Sequence, residues 1–101
     1  MTAKFFGEIP EPDDELILNF ISAFETFDVQ NVNLVINTHG GSWDTAIMLY
    51  NILQGHKISG VVRSYGISSV FSAGSILFMA GDVRLATHYT DFLIHTTQLG
   101  L

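Results

Sequence analysis

The sequence predicts an α/β fold, a mostly parallel β-sheet flanked by helices. Strand-like and helix-like segments alternate along the chain, an order typical of parallel sheets with right-handed crossover connections. Glycine-bearing turns follow two of the predicted strands. In parallel sheets, binding and catalytic sites collect at the carboxyl ends of the strands, where the next helices begin. With 101 residues, the chain is expected to form a single domain over residues 1–101.

The N-terminal quarter is predicted to form a strand and then an amphipathic helix. "KFFGEI" at 4–9 suits a short strand that Pro10 and Pro12 end. Apolar residues then recur at helical spacing, with Asp13 or Asp14 as the expected N-cap. Half of the acidic residues crowd here, where the macrodipole favours them at a helix N-terminus; a docking patch for a basic partner is the alternative. These are Glu8, Glu11, Asp13, Asp14 and Glu15.

The rest of the chain continues the alternation. The mostly apolar strand "VNLVIN" suits a sheet covered on both faces. Glycines end the two helices that follow, and two short strands come last. The predicted elements are a strand at 32–37, a helix at 43–54, a strand within 58–67, a helix at 70–81, and strands near 83–86 and 91–95.

Composition restricts the function classes. Ten acidic and four basic residues give a net charge of −6, which argues against nucleic-acid binding. There is no cysteine and no H-E-x-x-H spacing, so we expect no metal and no other cofactor. No signal core and no apolar run of about 18 residues is present, which predicts a cytoplasmic protein without membrane contact. At 48% hydrophobic residues, apolar surface is expected to be covered by a partner or a second copy, unless the chain is truncated.

A candidate nucleophile lies in the apolar run "FSAGSILFMAG" at 71–81. Ser72 is expected at the mouth of a helix, beside unpaired amides and the positive end of the macrodipole. The amide of Ala73 could then stabilise an oxyanion formed by attack of that hydroxyl, and Gly74 would allow close packing. An ordinary helix-cap serine is the alternative interpretation. The competing hydroxyls are those of Ser68, Ser69 and Ser75.

Two further features would complete such a site. In the turn "INTHGGS", Gly40 and Gly41 allow positive φ angles and outward-facing amides, although an ordinary turn would also contain them. His95, at the end of the apolar "FLI" strand, is a candidate general base for a serine hydroxyl. A strand-end histidine that only meets solvent is the alternative. The rival histidines are His39, His56 and His88.

Together these segments resemble the Clp protease proteolytic subunit (ClpP) family, serine peptidases with the ClpP/crotonase fold. "INTHGG" stands where the family has Asn-Ser-Pro-Gly-Gly. "FSAGSILFMAG" is similar to the family's Ala-Ser-Met-Gly segment, and "LIHTTQLG" to its Met-Ile-His-Gln-Pro segment. The resemblance covers about residues 5–100. It implies Ser72 as nucleophile, His95 as base, and the backbone amides of Gly41 and Ala73 as oxyanion donors.

The resemblance also implies segments that this chain lacks. ClpP chains are about twice as long; the axial-loop segment, the handle helix and the region that bears the triad aspartate have no counterpart here. No acidic residue follows His95. Asp91 is four residues from it, roughly 13 Å along a strand, too far to orient its ring within one chain. Asp44 and Asp82 remain as alternatives. Loss of the orienting carboxylate typically costs about 10⁴ in turnover.

Three functions are compatible with the resemblance. The first is a compact, phage-type ClpP-like serine endopeptidase acting on peptides or unfolded protein. It would work as a homo-oligomeric ring, or as a hetero-oligomer with ClpP, together with an ATP-dependent unfoldase. The second is a catalytically weak or inactive ClpP-like subunit that binds and modulates a host ClpP/unfoldase complex. The third is a crotonase-like acyl-thioester enzyme, although no basic residues cluster to bind a nucleotide.

Overall fold

The computed structural model describes residues 1–26, 31–55 and 60–93. Strands and helices follow one another in the predicted order, which is thereby confirmed. No helix within these three ranges is long and apolar enough to cross a lipid bilayer. The elements are β1 (Thr2–Phe6), α1 (Glu15–Thr26), β2 (Val32–Thr38), α2 (Trp43–Gly55), β3 (Val62–Phe71), α3 (Ala73–Phe78), β4 (Val83–Ala86) and β5 (Asp91–Leu93).

The strands form one sheet in which every pairing is parallel, as the sequence predicted. The order across the sheet is β1-β2-β3-β4, and β5 pairs with the second half of β3 beyond β4. Because all strands run the same way, their carboxyl ends meet at one edge of the sheet. This edge carries the turn after β2 and the start of α3, the two segments that the sequence marked as candidate site.

The helices cover one face of the sheet. Along β2, Val32, Leu34 and Ile36 are fully buried, whereas Asn33 and Val35 between them are only half-buried. Since alternate residues of a strand point to opposite faces, the shared core lies on one side only. The expectation of a sheet covered on both faces is therefore wrong for the described residues. Core residues from the three helices are Ile17, Phe24, Ala46, Leu49, Leu53, Ala73 and Leu77.

The N-terminal segment differs slightly from its prediction. The strand β1 ends at Phe6, before the predicted boundary, because Gly7 takes a positive φ of 83° and turns the chain. The predicted N-cap is confirmed at Asp14, whose Oδ1 accepts the backbone N–H of Leu16 at 2.9 Å. Beyond the turn, Ile9 forms an isolated parallel bridge to the segment after β2. The N-terminal segment is thereby attached to the candidate site.

A bulge lengthens β3 beyond its predicted end. From Ile36 to Thr38, β2 advances two residues, while the paired β3 advances four, from Gly66 to Val70. Ser68, inside this bulge, has a positive φ of 72°. The predicted strand stopped at residue 67 and the predicted helix began at 70, whereas β3 continues to Phe71. The bulge shifts the end of β3, and with it the start of α3, relative to the turn after β2.

Candidate functional site

Ser72 connects β3 to α3 in a strained conformation. Its φ of 55° and ψ of −121° lie in a region that residues other than glycine rarely occupy. Such a conformation costs about 1–3 kcal/mol and persists only where the surrounding structure holds it. Ser72 occupies the N-cap position of α3, but its side chain makes no capping hydrogen bond. The helix-cap interpretation is therefore not what the geometry shows.

Backbone hydrogen bonds hold Ser72 in place from two sides. Its N–H donates to the carbonyl of Leu93 at 2.7 Å, which attaches it to the end of β5. Its carbonyl accepts the N–H of Ser75 at 2.9 Å and the hydroxyl of Ser75 at 2.6 Å. Both the N–H and the carbonyl of Ser72 are thus hydrogen-bonded. The hydroxyl, on a half-buried residue, has no hydrogen-bond partner among the described residues.

The competing serines have other surroundings. Ser75 is 7% exposed and its hydroxyl is committed to the carbonyl one turn earlier, so it stabilises the first turn of α3. The N–H of Ser69 donates to the side-chain oxygen of Asn37 at 3.2 Å, which helps to hold the bulge. Ser68 is exposed at the bulge itself. Among these four hydroxyls, Ser72 alone combines a positive φ with a place at the mouth of a helix.

The glycine turn after β2 lies directly against Ser72. A Cβ built on Gly40 would be 3.0 Å from the Cβ of Ser72 and 3.4 Å from its Oγ. Gly40 and Gly41 have φ angles of 129° and 137°, the left-handed values expected of this turn. The turn is fixed by Ile9, whose N–H donates to the carbonyl of Gly40 at 2.9 Å and whose carbonyl accepts the N–H of Ser42 at 3.0 Å.

Two backbone donors at the same edge of the sheet as Ser72 lack an acceptor within regular structure. The hydrogen bonds of the described residues leave the N–H of Gly41 without an acceptor, and Gly41 is exposed. Ala73 is the first residue of α3, so its N–H has no partner inside the helix. Free amides beside a hydroxyl are the donors that an oxyanion requires. The fold therefore brings Ser72, Gly41 and Ala73 to the same edge of the sheet.

The sequence analysis missed Thr38, which holds this arrangement together. Its hydroxyl accepts the N–H of Gly40 at 3.0 Å and lies within hydrogen-bond distance of the carbonyls of Gly7 and Gly40. A Cβ built on Gly74 would come within 2.4 Å of the Thr38 methyl group, so the predicted close packing at Gly74 is confirmed. The signal in the sequence that could have indicated this role is the small, β-branched, polar side chain of Thr38 at the end of an apolar strand.

Two of the four histidines, His39 and His88, lie within the residues that the structure describes. His95 and His56 lie outside the described residues, so the structure gives no distance between Ser72 and His95. The exposed His39 stacks its ring on that of Phe71, with centroids 5.0 Å apart and an angle of 18° between the planes. His88 is exposed beyond β4 and contacts Tyr89 edge-on. Of the described histidines, His39 is the one in the turn that lies against Ser72.

Asp82 is excluded as the acid of a triad. Its Oδ2 accepts the N–H of Val62 at 3.0 Å, at the amino end of β3. Ser72 follows the opposite end of this ten-residue strand, roughly 30 Å away at the extended rise. Asp44 is exposed in the first turn of α2, and Asp91 pairs with Ser69 at the start of β5. Neither makes a contact with Ser72 among the described hydrogen bonds.

The parallel sheet, the glycine turn after β2 and the helix that starts at Ser72 together define an α/β protein with the ClpP fold. A family model described as Clp protease matches residues 5–101. The chain belongs to the Clp protease family, and the resemblance noted in the sequence is confirmed.

Two individual proteins show how far the likeness extends. The chain is 31% identical over 72 residues to an ATP-dependent Clp protease proteolytic subunit from Paracoccus denitrificans, a match that covers 69% of this chain and 35% of the relative. A solved mutant of ClpP1 from Listeria monocytogenes matches with a TM-score of 0.78 and 22% identity, over 95% of this chain and 56% of that one. The chain thus spans little more than half the length of the solved relative it matches.

Proposed function

We propose that this chain is a ClpP-like serine-type endopeptidase subunit that hydrolyses peptide bonds through Ser72 and His95. The observation that supports it most is the strained Ser72 at the mouth of α3, with a hydroxyl that faces Gly40 and forms no hydrogen bond among the described residues. Strain of this kind clusters at active sites, where it positions a reacting group. The pattern suits a nucleophile better than a structural cap.

Chain connectivity supports His95 as the base. The carbonyl of Leu93 accepts the N–H of Ser72 at 2.7 Å, and His95 follows Leu93 by two residues. Two residues span at most about 7 Å between α-carbons. We therefore propose that the imidazole of His95 approaches the hydroxyl of Ser72, an approach that this length of chain permits. The segment of His88 is attached at Gly66 instead, whose carbonyl accepts the N–H of Thr87 at 3.0 Å, earlier in β3 than Ser72.

The proposed chemistry follows acyl transfer to serine. His95 removes the proton of the Ser72 hydroxyl while the oxygen attacks the carbonyl carbon of the scissile peptide. The tetrahedral oxyanion accepts hydrogen bonds from the amides of Gly41 and Ala73. His95 then gives the proton to the leaving amine as the C–N bond breaks, leaving an acyl-serine. Water, deprotonated by His95, attacks the ester carbonyl. The ester C–O bond then breaks, His95 returns the proton to the Ser72 oxygen, and the carboxylic acid product, which ionises in solution, leaves the restored hydroxyl.

The acid that orients His95 is proposed to come from outside this chain's described aspartates. A water molecule, a backbone carbonyl or an acidic residue of a neighbouring subunit could accept the second imidazole N–H. Family members form rings, and the partners implied here are further ClpP-type subunits, an unfolded polypeptide substrate and an ATP-dependent unfoldase, in the cytoplasm. Without an orienting acid, turnover is expected to be lower by up to about 10⁴.

A fluorophosphonate probe tests the proposed function. We expect the wild-type protein to be labelled and Ser72→Ala to lose all labelling, because the reactive oxygen is removed. Ser22→Ala is the matched control, since Ser22 is exposed on α1, away from the turn. Mass spectrometry of the labelled peptide identifies the modified residue. A wild-type protein that resists the probe, or a Ser72→Ala variant that is still labelled, contradicts the proposal.

A second function, a non-catalytic subunit that docks on another ClpP-type subunit, is favoured by the open face of the sheet. Val35, Tyr65 and Leu85 lie side by side there and line a groove of about 450 Å³. Apolar surface of this kind marks interaction sites. We expect Leu85→Glu to abolish co-elution with a ClpP ring, whereas Ile47→Glu, equally 46% exposed but on α2, should keep it. Equal co-elution of both variants would exclude this face of the sheet as the docking surface.

A further inference from the structure

A second cavity lies at the carboxyl ends of β1 and β2, beside the turn that faces Ser72. Its volume is about 530 Å³, enough for a long side chain. Gly40 and Gly41 line it, and these residues also form the proposed oxyanion side of the active site. A peptide whose scissile carbonyl points at the amide of Gly41 would therefore place a neighbouring side chain at the mouth of this cavity.

Glu8 gives the cavity wall a negative charge. Glu8 contributes a carboxylate, and no lysine or arginine is among the residues that line the cavity. The amide oxygen of Asn37 already accepts the N–H of Ser69 at 3.2 Å, so the carboxylate of Glu8 is the acceptor that remains for a cationic ligand among the side chains of Glu8 and Asn37. A cationic side chain would meet the Glu8 carboxylate, whereas an acidic one would be repelled by it and by the overall charge of −6.

The aromatic wall suits the same ligand. His39 is among the residues that line the cavity, and its ring lies nearly parallel to that of Phe71, at 5.0 Å between centroids and 18° between planes. Phe71 covers one face of the ring, and a guanidinium group stacks well on an aromatic face that is left uncovered. Glu8 and His39 together provide an acceptor and a stacking surface for an arginine, or an acceptor for a lysine.

We propose that this cavity binds a basic side chain of the peptide substrate, with Glu8 as the specificity-determining residue. The orientation of the peptide rests on the proposed function, because it takes the Gly41 amide as the oxyanion donor. Glu8 is exposed, so its interaction with a cation is screened by solvent. The expected selectivity is accordingly moderate, about two- to fivefold in affinity for a single charge pair.

Peptide binding to the inactive Ser72→Ala variant tests this inference without turnover. Fluorescence anisotropy is measured with extended peptides that carry arginine, lysine or glutamate at each residue around the intended scissile bond in turn. At one of these positions we expect arginine and lysine to bind about two- to fivefold more tightly than glutamate. Adding Glu8→Gln should bring the ratio to about one, and Glu8→Lys should reverse it. Glu25→Gln, at an exposed residue near the end of α1, is the control and should keep the wild-type ratio.

The outcomes separate this inference from the proposed function. An arginine-to-glutamate ratio that Glu8→Gln leaves unchanged overturns the cavity's role, even if the wild-type protein is labelled at Ser72. A wild-type protein that resists the fluorophosphonate overturns the proposed peptidase activity, while the binding ratios still decide whether the cavity selects basic side chains. Equal binding of all three peptides at every position overturns the inference directly.

Discussion

Replacing Gly41 by alanine is expected to remove a large part of the stability of the fold. The new Cβ would lie 2.4 Å from the carbonyl oxygen and 2.6 Å from the nitrogen of Ile9, and backbone atoms cannot move aside as a flexible side chain can. The residue would also have to keep a φ of 137°. Strain at such a φ costs about 1–3 kcal/mol, to which the clash adds. A domain of about 100 residues has roughly 5–15 kcal/mol in total.

Urea denaturation at equilibrium measures this change. We expect the free energy of unfolding of Gly41→Ala to fall by about 3 kcal/mol or more. Gly55→Ala is the matched control, because nothing lies within 4 Å of a Cβ at that position at the end of α2. Alanine is the better helix former, so this variant should be as stable as the wild type or up to about 1 kcal/mol more stable. Equal stability of the two variants would show that the bridge between Ile9 and Gly41 does not fix the turn.

Local patterns made much of the fold predictable. The N-cap at Asp14 is confirmed, because capping depends on residue type and on the apolar periodicity that follows. The close approach at Gly74 is likewise confirmed. It was predictable because a glycine in a helix that packs on a strand indicates that there is no room for a side chain. The parallel order of the strands followed from the alternation of elements. These features are encoded within a few residues, so a single sequence is sufficient to find them.

Features that depend on pairing between distant segments could not be predicted in the same way. The bulge in β3 exists only relative to β2, and no residue between Gly66 and Val70 indicates it alone. The uncovered face of the sheet has a similar origin. The asparagines of β2 point away from the helices, and an apolar run that contains Asn33 was interpreted as buried on both sides. The sequence also left Asp82 open as the acid of a triad. Its hydrogen bond to Val62, at the end of β3 opposite to Ser72, became visible only from the register of the strands.

The candidate site shows the same division. Residue types and spacing identified Ser72 and the glycine turn, but not the positive φ of Ser72, which arises from contacts with residues that follow much later in the chain. The bond from its N–H to the carbonyl of Leu93 brings β5 to the mouth of α3. That bond depends on the parallel pairing of β5 with β3, two segments that are far apart in the sequence.

The loss of His95 is expected to have the largest effect on activity. If its imidazole removes the proton of Ser72, His95→Ala should lower kcat/KM for a peptide substrate by about 10²–10⁴, the usual contribution of a general base. The hydroxyl of Ser72 forms no hydrogen bond with any described residue, His39 included, so no described group can replace the base without movement. His88→Ala is the matched control, because that exposed histidine contacts Tyr89 beyond β4.

Initial rates of peptide cleavage and of fluorophosphonate labelling provide two measurements of the same step. Both should fall in His95→Ala and stay within about twofold of wild type in His88→Ala, whose change on the surface removes no group from the site. His39→Ala distinguishes the rival base, since His39 lies beside the turn that faces Ser72. A larger loss of labelling in His39→Ala than in His95→Ala would assign the proton transfer to His39. The hydrogen bond from Ser72 to the carbonyl of Leu93 would then be structural, and the base would come from the glycine turn itself.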